Sequence, residues 1–165
     1  LNALSEIKNK FPNIVYLIAG KGPYLEEIKK YTSKLRLEDN VRFLGWITEP
    51  EKSLILKKSD LFVMTPTEVG ESIEGFGMAY IDASFHGVAS VGSSSGGIAD
   101  AIVNNETGIV CDAGNQEMIT EKILLLLENE QLRNQLGKNG KKRATENYSW
   151  IRKVEEYLIA KYCIM

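Results

Sequence analysis

The sequence predicts a three-layer α/β/α domain built on a parallel sheet of about five or six strands. Three observations carry this expectation. Short, almost unbroken apolar runs alternate with longer amphipathic segments through the first two thirds of the 165 residues. Glycine clusters at 20–23, 75–77 and 92–97 stand where apolar runs hand over to helical segments. The composition is that of one globular domain, with 44% hydrophobic and 25% charged residues and a formal net charge of −2.

Each element has a local reason. Residues 14–19 (IVYLIA) form an apolar run between Pro12-Asn13 and Gly20, as expected of a strand buried on both faces. A helix follows, with Leu25, Ile28, Tyr31 and Leu35 on one side and Pro23 in its first turn. Residues 41–44 (VRFL) read as a second strand, 49–58 as a short helix, and 60–64 (DLFVM) as a third strand closed by Thr65-Pro66. A loop over 67–74 leads to a helix from about 76 to 86, ended by Gly87. Residues 88–91 and 107–111 read as the fourth and fifth strands, with a short helix at 98–103 between them. Helices are expected at 117–128, 131–147 and 151–162. Strands alternating with helices imply right-handed crossovers and helices on both faces, a Rossmann-like arrangement.

Charge and composition exclude several classes. Twenty Lys+Arg against 22 Asp+Glu leave no basic excess for a dedicated nucleic-acid binder. The apolar content argues against disorder. The longest apolar runs, such as 123–127, are too short to span a bilayer. Cys111 and Cys163 form no disulfide framework and fit a reducing cytoplasm. One histidine and two distant cysteines make no zinc set, and no GxSxG elbow or Walker-type loop occurs. Leu1, Leu4 and Ile7 already follow helical spacing, and no signal peptide is present. The expectation is therefore a single domain over 1–165 that is a piece of a longer protein and begins inside a helix.

In an open parallel sheet, ligands bind beyond the carboxyl ends of the strands. The strongest candidate there is Glu74-Gly75-Phe76-Gly77-Met78, which leaves a loop and opens a helix. The amides of Phe76, Gly77 and Met78 are then free for an anion such as a diphosphate. Glu74 and Asp82 lie eight residues apart, within about 80° around a helix axis, so both carboxylates can face one cleft. The plain alternative is that Glu74 caps the helix and Asp82 is solvated. Gly20-Lys21-Gly22 is a weaker signal, equally a tight turn with a solvated lysine. Ser93, Ser94 and Ser95 are donors or turn residues. His86 reads as a partner of the helix C-terminal dipole.

Residues 74–82 (EGFGMAYID) resemble the E-x7-E element of retaining GT-B glycosyltransferases of the group 1, or family 4, class. The surroundings agree in order: YLIAGKGPYLEEI at 16–28, VRFLGWI at 41–47, SDLFVMTPT at 59–67, GGIADAI at 96–102, TGIVCD at 107–112 and NYSWIRKVEEYL at 147–158. The resemblance covers nearly the whole chain as the C-terminal, donor-binding half of a GT-B fold. It implies that Glu74 is the catalytic acid that approaches the donor sugar hydroxyls. It implies that the amides around Gly75, Phe76, Gly77 and Met78 bind diphosphate or sugar and that Asp82 accepts from the ribose. The backbone at Arg42 reads the base, and the loop from Gly20 to Gly22 lies near the nucleotide.

The same resemblance implies a nucleotide-diphosphate sugar donor, UDP- or GDP-linked, with no metal or other cofactor required. The partners are that donor and an absent N-terminal acceptor domain, and the setting is cytoplasmic polysaccharide or glycolipid synthesis, peripheral at the inner membrane. Two departures stand out. The second acid is Asp rather than Glu, shortening its reach by roughly 1.5 Å. The family's Arg and Lys for the diphosphate precede this segment. Two other readings stay open: a nucleotide-binding regulatory module without transfer, and an interaction domain using the helix at 149–165, whose apolar face includes Trp150, Ile151, Val154, Tyr157 and Leu158.

Overall fold

The computed structural model describes residues 1–67, 77–94 and 96–149. Its elements run α1 (Asn2–Ile7), β1 (Tyr16–Ala19), α2 (Leu25–Lys34), β2 (Val41–Gly45), α3 (Glu49–Lys58) and β3 (Phe62–Met64). They continue α4 (Met78–Phe85), β4 (Ser90–Ser93), α5 (Ile98–Ala101), β5 (Gly108–Cys111), α6 (Gln116–Glu128) and α7 (Glu130–Tyr148). All but Thr67 of the expected loop over 67–74, together with Ser95 and the expected helix at 151–162, lies outside the described residues.

All strand pairs are parallel. Among the described residues, however, the five strands form two sheets rather than one. β1 pairs with β2, and β3, β4 and β5 form a separate three-stranded sheet. Apolar alternation explains the layers. Val63, Val91, Ile109 and Cys111 point to one face, against Ala3 and Ile7 of α1, Ile119, Ile123 and Leu126 of α6, and Leu136 of α7. Phe62, Met64 and Val110 point to the other, against Tyr80 and Ile81 of α4 and Ile98 and Ala101 of α5. The period of two along each strand therefore feeds two helical layers.

The apolar run at 14–19 departs from the expected double burial: Val15, just before β1, is 51% exposed and Leu17 within it 38%. Tyr16 and Ile18 pack on Leu4, Leu37 and Val41, while the alternate side chains line an open cleft. Pro23 also lies outside its helix, since Tyr24 is the N-cap of α2. α3 keeps its expected bounds because a capping box defines its start: Thr48 accepts from the Glu51 N–H, and the Glu51 carboxylate accepts from the Thr48 N–H. No described helix is long and apolar enough to cross a membrane.

α4 and α7 approach through glycine. Gly87, at φ +76°, ends α4, and a Cβ on Gly137 in α7 would stand 2.1 Å from the Gly87 carbonyl oxygen. A mid-helix Gly→Ala change ordinarily adds up to about 1 kcal/mol of stability. Here the sign reverses. Gly137→Ala is expected to destabilise the domain by about 1–3 kcal/mol, read as a lower urea midpoint. A midpoint at or above the wild-type value would contradict this packing.

Candidate functional site

The carboxyl ends of β1, β3 and β4 meet at one end of the domain. Gly20, at φ +119°, turns the chain out of β1 while its N–H donates to the Gly45 carbonyl at 2.7 Å. The Ser93 hydroxyl donates to the Pro66 carbonyl at 2.6 Å, tying the end of β4 to the turn after β3. Ser93, read from sequence as a donor or a turn residue, is the last residue of β4, and its hydroxyl is engaged in this bond.

α4 is set into this end by Tyr80. The ring is fully buried, meets Phe62 edge-on at a centroid distance of 5.5 Å, and its hydroxyl donates to the Met64 carbonyl. Gly77 and Gly92 make room for it. A Cβ at Gly77 would lie 2.8 Å from the ring, and one at Gly92 would lie 3.1 Å from the ring and 2.8 Å from Ile102. Gly77 adopts a left-handed conformation as N-cap (φ 74°, ψ 46°). The helix therefore begins at Met78, two residues later than expected. The Tyr80 N–H donates to the carbonyl of this N-cap at 2.9 Å, and the Met78 side chain is 62% exposed at the opening.

Asp82 sits one turn further along α4, half-buried on the wall of a cleft of about 880 Å³ that also reaches Gly20, Trp46, Thr65 and Ala79. Its Oδ2 accepts from Lys52 Nζ at 2.7 Å, and the same ammonium lies 2.8 Å from Glu49. Lys52 stands in the first turn of α3 and lines the cleft as well. Hydrogen bonding to Asp82, then to Glu49, holds its pKa above the ordinary lysine value. The stabilisation from this link is complete below that ordinary value and is lost only as pH rises through the raised one. His86, at the C-cap of α4, is pushed below its ordinary pKa, first by burial and then by the Lys57 charge.

The candidate residues are thus partly gathered. Gly20 and Asp82 share the cleft, and Gly77 and Met78 form the start of the helix that carries Asp82. Gly22 lies in the turn before α2, where its carbonyl accepts from the Leu25 N–H. Arg42 is not brought to the cleft. It is second in β2, opposite Leu17, and its guanidinium donates to the Glu38 and Val41 carbonyls. Glu74, Gly75 and Phe76 lie outside the described residues. Lys52 is the residue that sequence reasoning missed. Among the described residues, no group of three or more His, Cys, Asp or Glu is placed to hold a metal ion.

Comparison with known proteins gives this site a family. Residues 1–143 match the family described as "Glycosyl transferases group 1". The chain is 30% identical over 152 residues to a GDP-mannose-dependent alpha-(1-6)-phosphatidylinositol monomannoside mannosyltransferase of Mycolicibacterium smegmatis, covering 91% of this chain and 40% of that protein. It is 27% identical over 149 residues to the N-acetyl-alpha-D-glucosaminyl L-malate synthase of Bacillus anthracis, covering 90% and 37%. Among solved structures, Anabaena HepE in complex with UDP and glucose superposes with a TM-score of 0.84 at 19% identity, over 99% of this chain and 43% of that one. The C-terminal domain of the group 1 glycosyl transferase LpcC from Francisella tularensis gives 0.76 at 21% identity, over 90% and 77%. These structures share the fold, and the chain spans about two fifths of the length of the curated relatives quoted. With its parallel strand ends, its glycine-hinged α4 and its match over residues 1–143, the chain belongs to the group 1 glycosyl transferases.

Proposed function

We propose that this chain is the donor-binding domain of a two-domain retaining glycosyltransferase, and that a nucleotide-diphosphate sugar binds in the cleft at the strand ends. The observation that carries this reading is the placement of Asp82 on the cleft wall, one turn inside a helix whose N-terminus opens at Gly77. An acceptor carboxylate and a helix N-terminus side by side suit a ligand with ribose hydroxyls at one end and a diphosphate at the other.

Roles follow from that pose. The ribose hydroxyls donate to Asp82, whose carboxylate Lys52 keeps oriented at 2.7 Å. The amides at Gly77 and Met78 face the diphosphate, and Glu74 approaches the sugar hydroxyls. In the reaction the bond from the anomeric carbon to the diphosphate oxygen breaks. The acceptor oxygen bonds to that carbon from the same face, and its proton passes to the departing diphosphate. Charge growing on the leaving group is stabilised by preoriented N–H dipoles. No residue in this scheme serves as a covalent nucleophile. Because the chain spans about two fifths of its relatives' length, the isolated domain is expected to bind nucleotide weakly and to turn over nothing.

The Lys52 ion pair favours one second reading. A carboxylate already held by an ammonium suits a regulatory nucleotide module as well as a donor site. Thermal shift on the full-length protein with UDP, GDP, ADP and their sugar conjugates separates the two. A ligand at a hundred times its Kd adds about 2.7 kcal/mol of apparent stability. A donor site responds more strongly to one sugar conjugate than to the bare diphosphate, whereas equal responses favour the regulatory module.

Two substitutions test the roles. Asp82→Asn in the full-length protein should weaken nucleoside diphosphate binding about ten- to a hundredfold, the size of a lost charged hydrogen bond. Unchanged affinity by calorimetry would remove Asp82 from the ribose. Glu74→Gln should lower turnover by at least about a hundredfold with donor affinity retained. Normal turnover would remove Glu74 from catalysis.

A further inference from the structure

The Asp82 carboxylate and the Lys52 ammonium are joined without being used up. Both line the cleft, and their side chains stay 30% and 33% exposed. The link runs from Lys52 Nζ to Asp82 Oδ2 at 2.7 Å. Among the described residues, Lys52 is the one hydrogen-bond partner of the Asp82 side chain, so Oδ1 is left as an acceptor.

Lys52 has donors beyond that link. An ammonium carries three protons. One serves Asp82, and the oxygens of Glu49 lie at 3.0 and 2.8 Å. The two carboxylates are not equivalent partners. Asp82 stands on another helix and is partly buried, whereas Glu49 lies one turn back on α3 itself and is 85% exposed. An ion pair that exposed contributes little against water. The ammonium can therefore exchange a Glu49 oxygen for an oxygen in the cleft, and its four-carbon stem allows the adjustment. Its backbone is fixed, since the Lys52 N–H donates to the Thr48 carbonyl at 2.9 Å within the capping box of α3. The helix carrying Asp82 is fixed by Tyr80.

The cleft thus presents an acceptor and a donor one hydrogen bond apart on two rigid helices. A single hydroxyl satisfies half of that pattern. Two neighbouring cis hydroxyls satisfy all of it, because their oxygens are about one hydrogen-bond length apart. One hydroxyl donates to the carboxylate, and its neighbour accepts from the ammonium.

We propose that Lys52 is itself a ribose contact, donating to one hydroxyl of the cis-diol while Asp82 accepts from the other. The proposal rests on the reading of Asp82 as the ribose-binding acid and adds to it a second, cationic reader. Lys52 then determines specificity, because a site with one residue per hydroxyl rejects a ribose that lacks either. A lysine that only orients Asp82 would act on every nucleotide alike.

Calorimetry on the full-length protein with UDP, 2′-deoxy-UDP and 3′-deoxy-UDP tests this, with the guanosine set used instead if GDP gives the larger thermal shift. In the wild type each missing hydroxyl should weaken binding about ten- to a hundredfold. In Lys52→Met one of these two losses should vanish and the other persist. In Asp82→Ala the surviving loss should be the opposite one. Two undiminished losses in Lys52→Met, or two that shrink equally, would overturn the proposal and leave Asp82 at the ribose. Equal affinity of the wild type for all three nucleotides would instead overturn the reading of Asp82, and this proposal with it. Should Lys52→Met not melt cooperatively, the double variant Lys52→Met/Asp82→Ala, which leaves no unpaired charge at this position, is compared with Asp82→Ala. The loss that survives in Asp82→Ala should vanish in the double variant, and its persistence there would overturn the proposal.

Discussion

The structure around the site depends on the seating of Tyr80. Its ring fills the space between β3, β4 and the start of α4, and its hydroxyl is tied to the Met64 carbonyl at the last residue of β3. A buried aromatic with a satisfied hydroxyl is a strong local constraint. It explains the backbone on either side. Gly77 and Gly92 both lack a side chain where a Cβ would crowd the ring, and at Gly92 Ile102 as well; the left-handed backbone of Gly77 favours glycine independently. The direction in which the N-terminus of α4 opens, and hence the position of Asp82, follows from that packing. On the far side, the Gly87–Gly137 approach holds α4 against α7. α4 is clamped from both sides, as befits a helix whose first turn faces a ligand.

Much of the architecture was legible in the chain because its signals are local. α3 carries its capping box in its own residues, Thr48 and Glu51, and its bounds agree with the expectation. The apolar runs marked the strands, with small shifts where a neighbouring residue packs before the ladder begins. Val88 and Ala89 are buried core positions ahead of β4, whose first paired residue is Ser90. α4 begins at Met78 rather than at about 76, after a left-handed N-cap at Gly77 that has room only for glycine beside the Tyr80 ring.

What the chain could not reveal is the pairing between distant elements. An apolar run does not record which of its edges finds a partner, so the split between β1–β2 and β3–β4–β5 was invisible, as was the exposure of Val15 and Leu17. Lys52 was missed for the same reason. A lysine three residues after Glu49 reads as an ordinary surface pair on one helix, and its contact with Asp82 exists only because α3 and α4 pack side by side. Asp82 was singled out by its spacing and lies on the cleft wall, whereas Arg42, in the first half of β2, lies away from it. The family resemblance and the match over residues 1–143 point the same way.

The central claim is that a nucleoside diphosphate lies at the carboxyl ends of the parallel strands, between the turn at Gly20 and the first turn of α4. A crystal structure of the full-length protein with the nucleoside diphosphate that stabilises it most tests this directly. The account predicts ribose oxygens within hydrogen-bond distance of Asp82 and the diphosphate against the amides at Gly77 and Met78. A nucleotide seated elsewhere, for instance in the groove along α7 lined by Glu130, Asn134 and Lys138, with the α4 opening left to solvent, would contradict it.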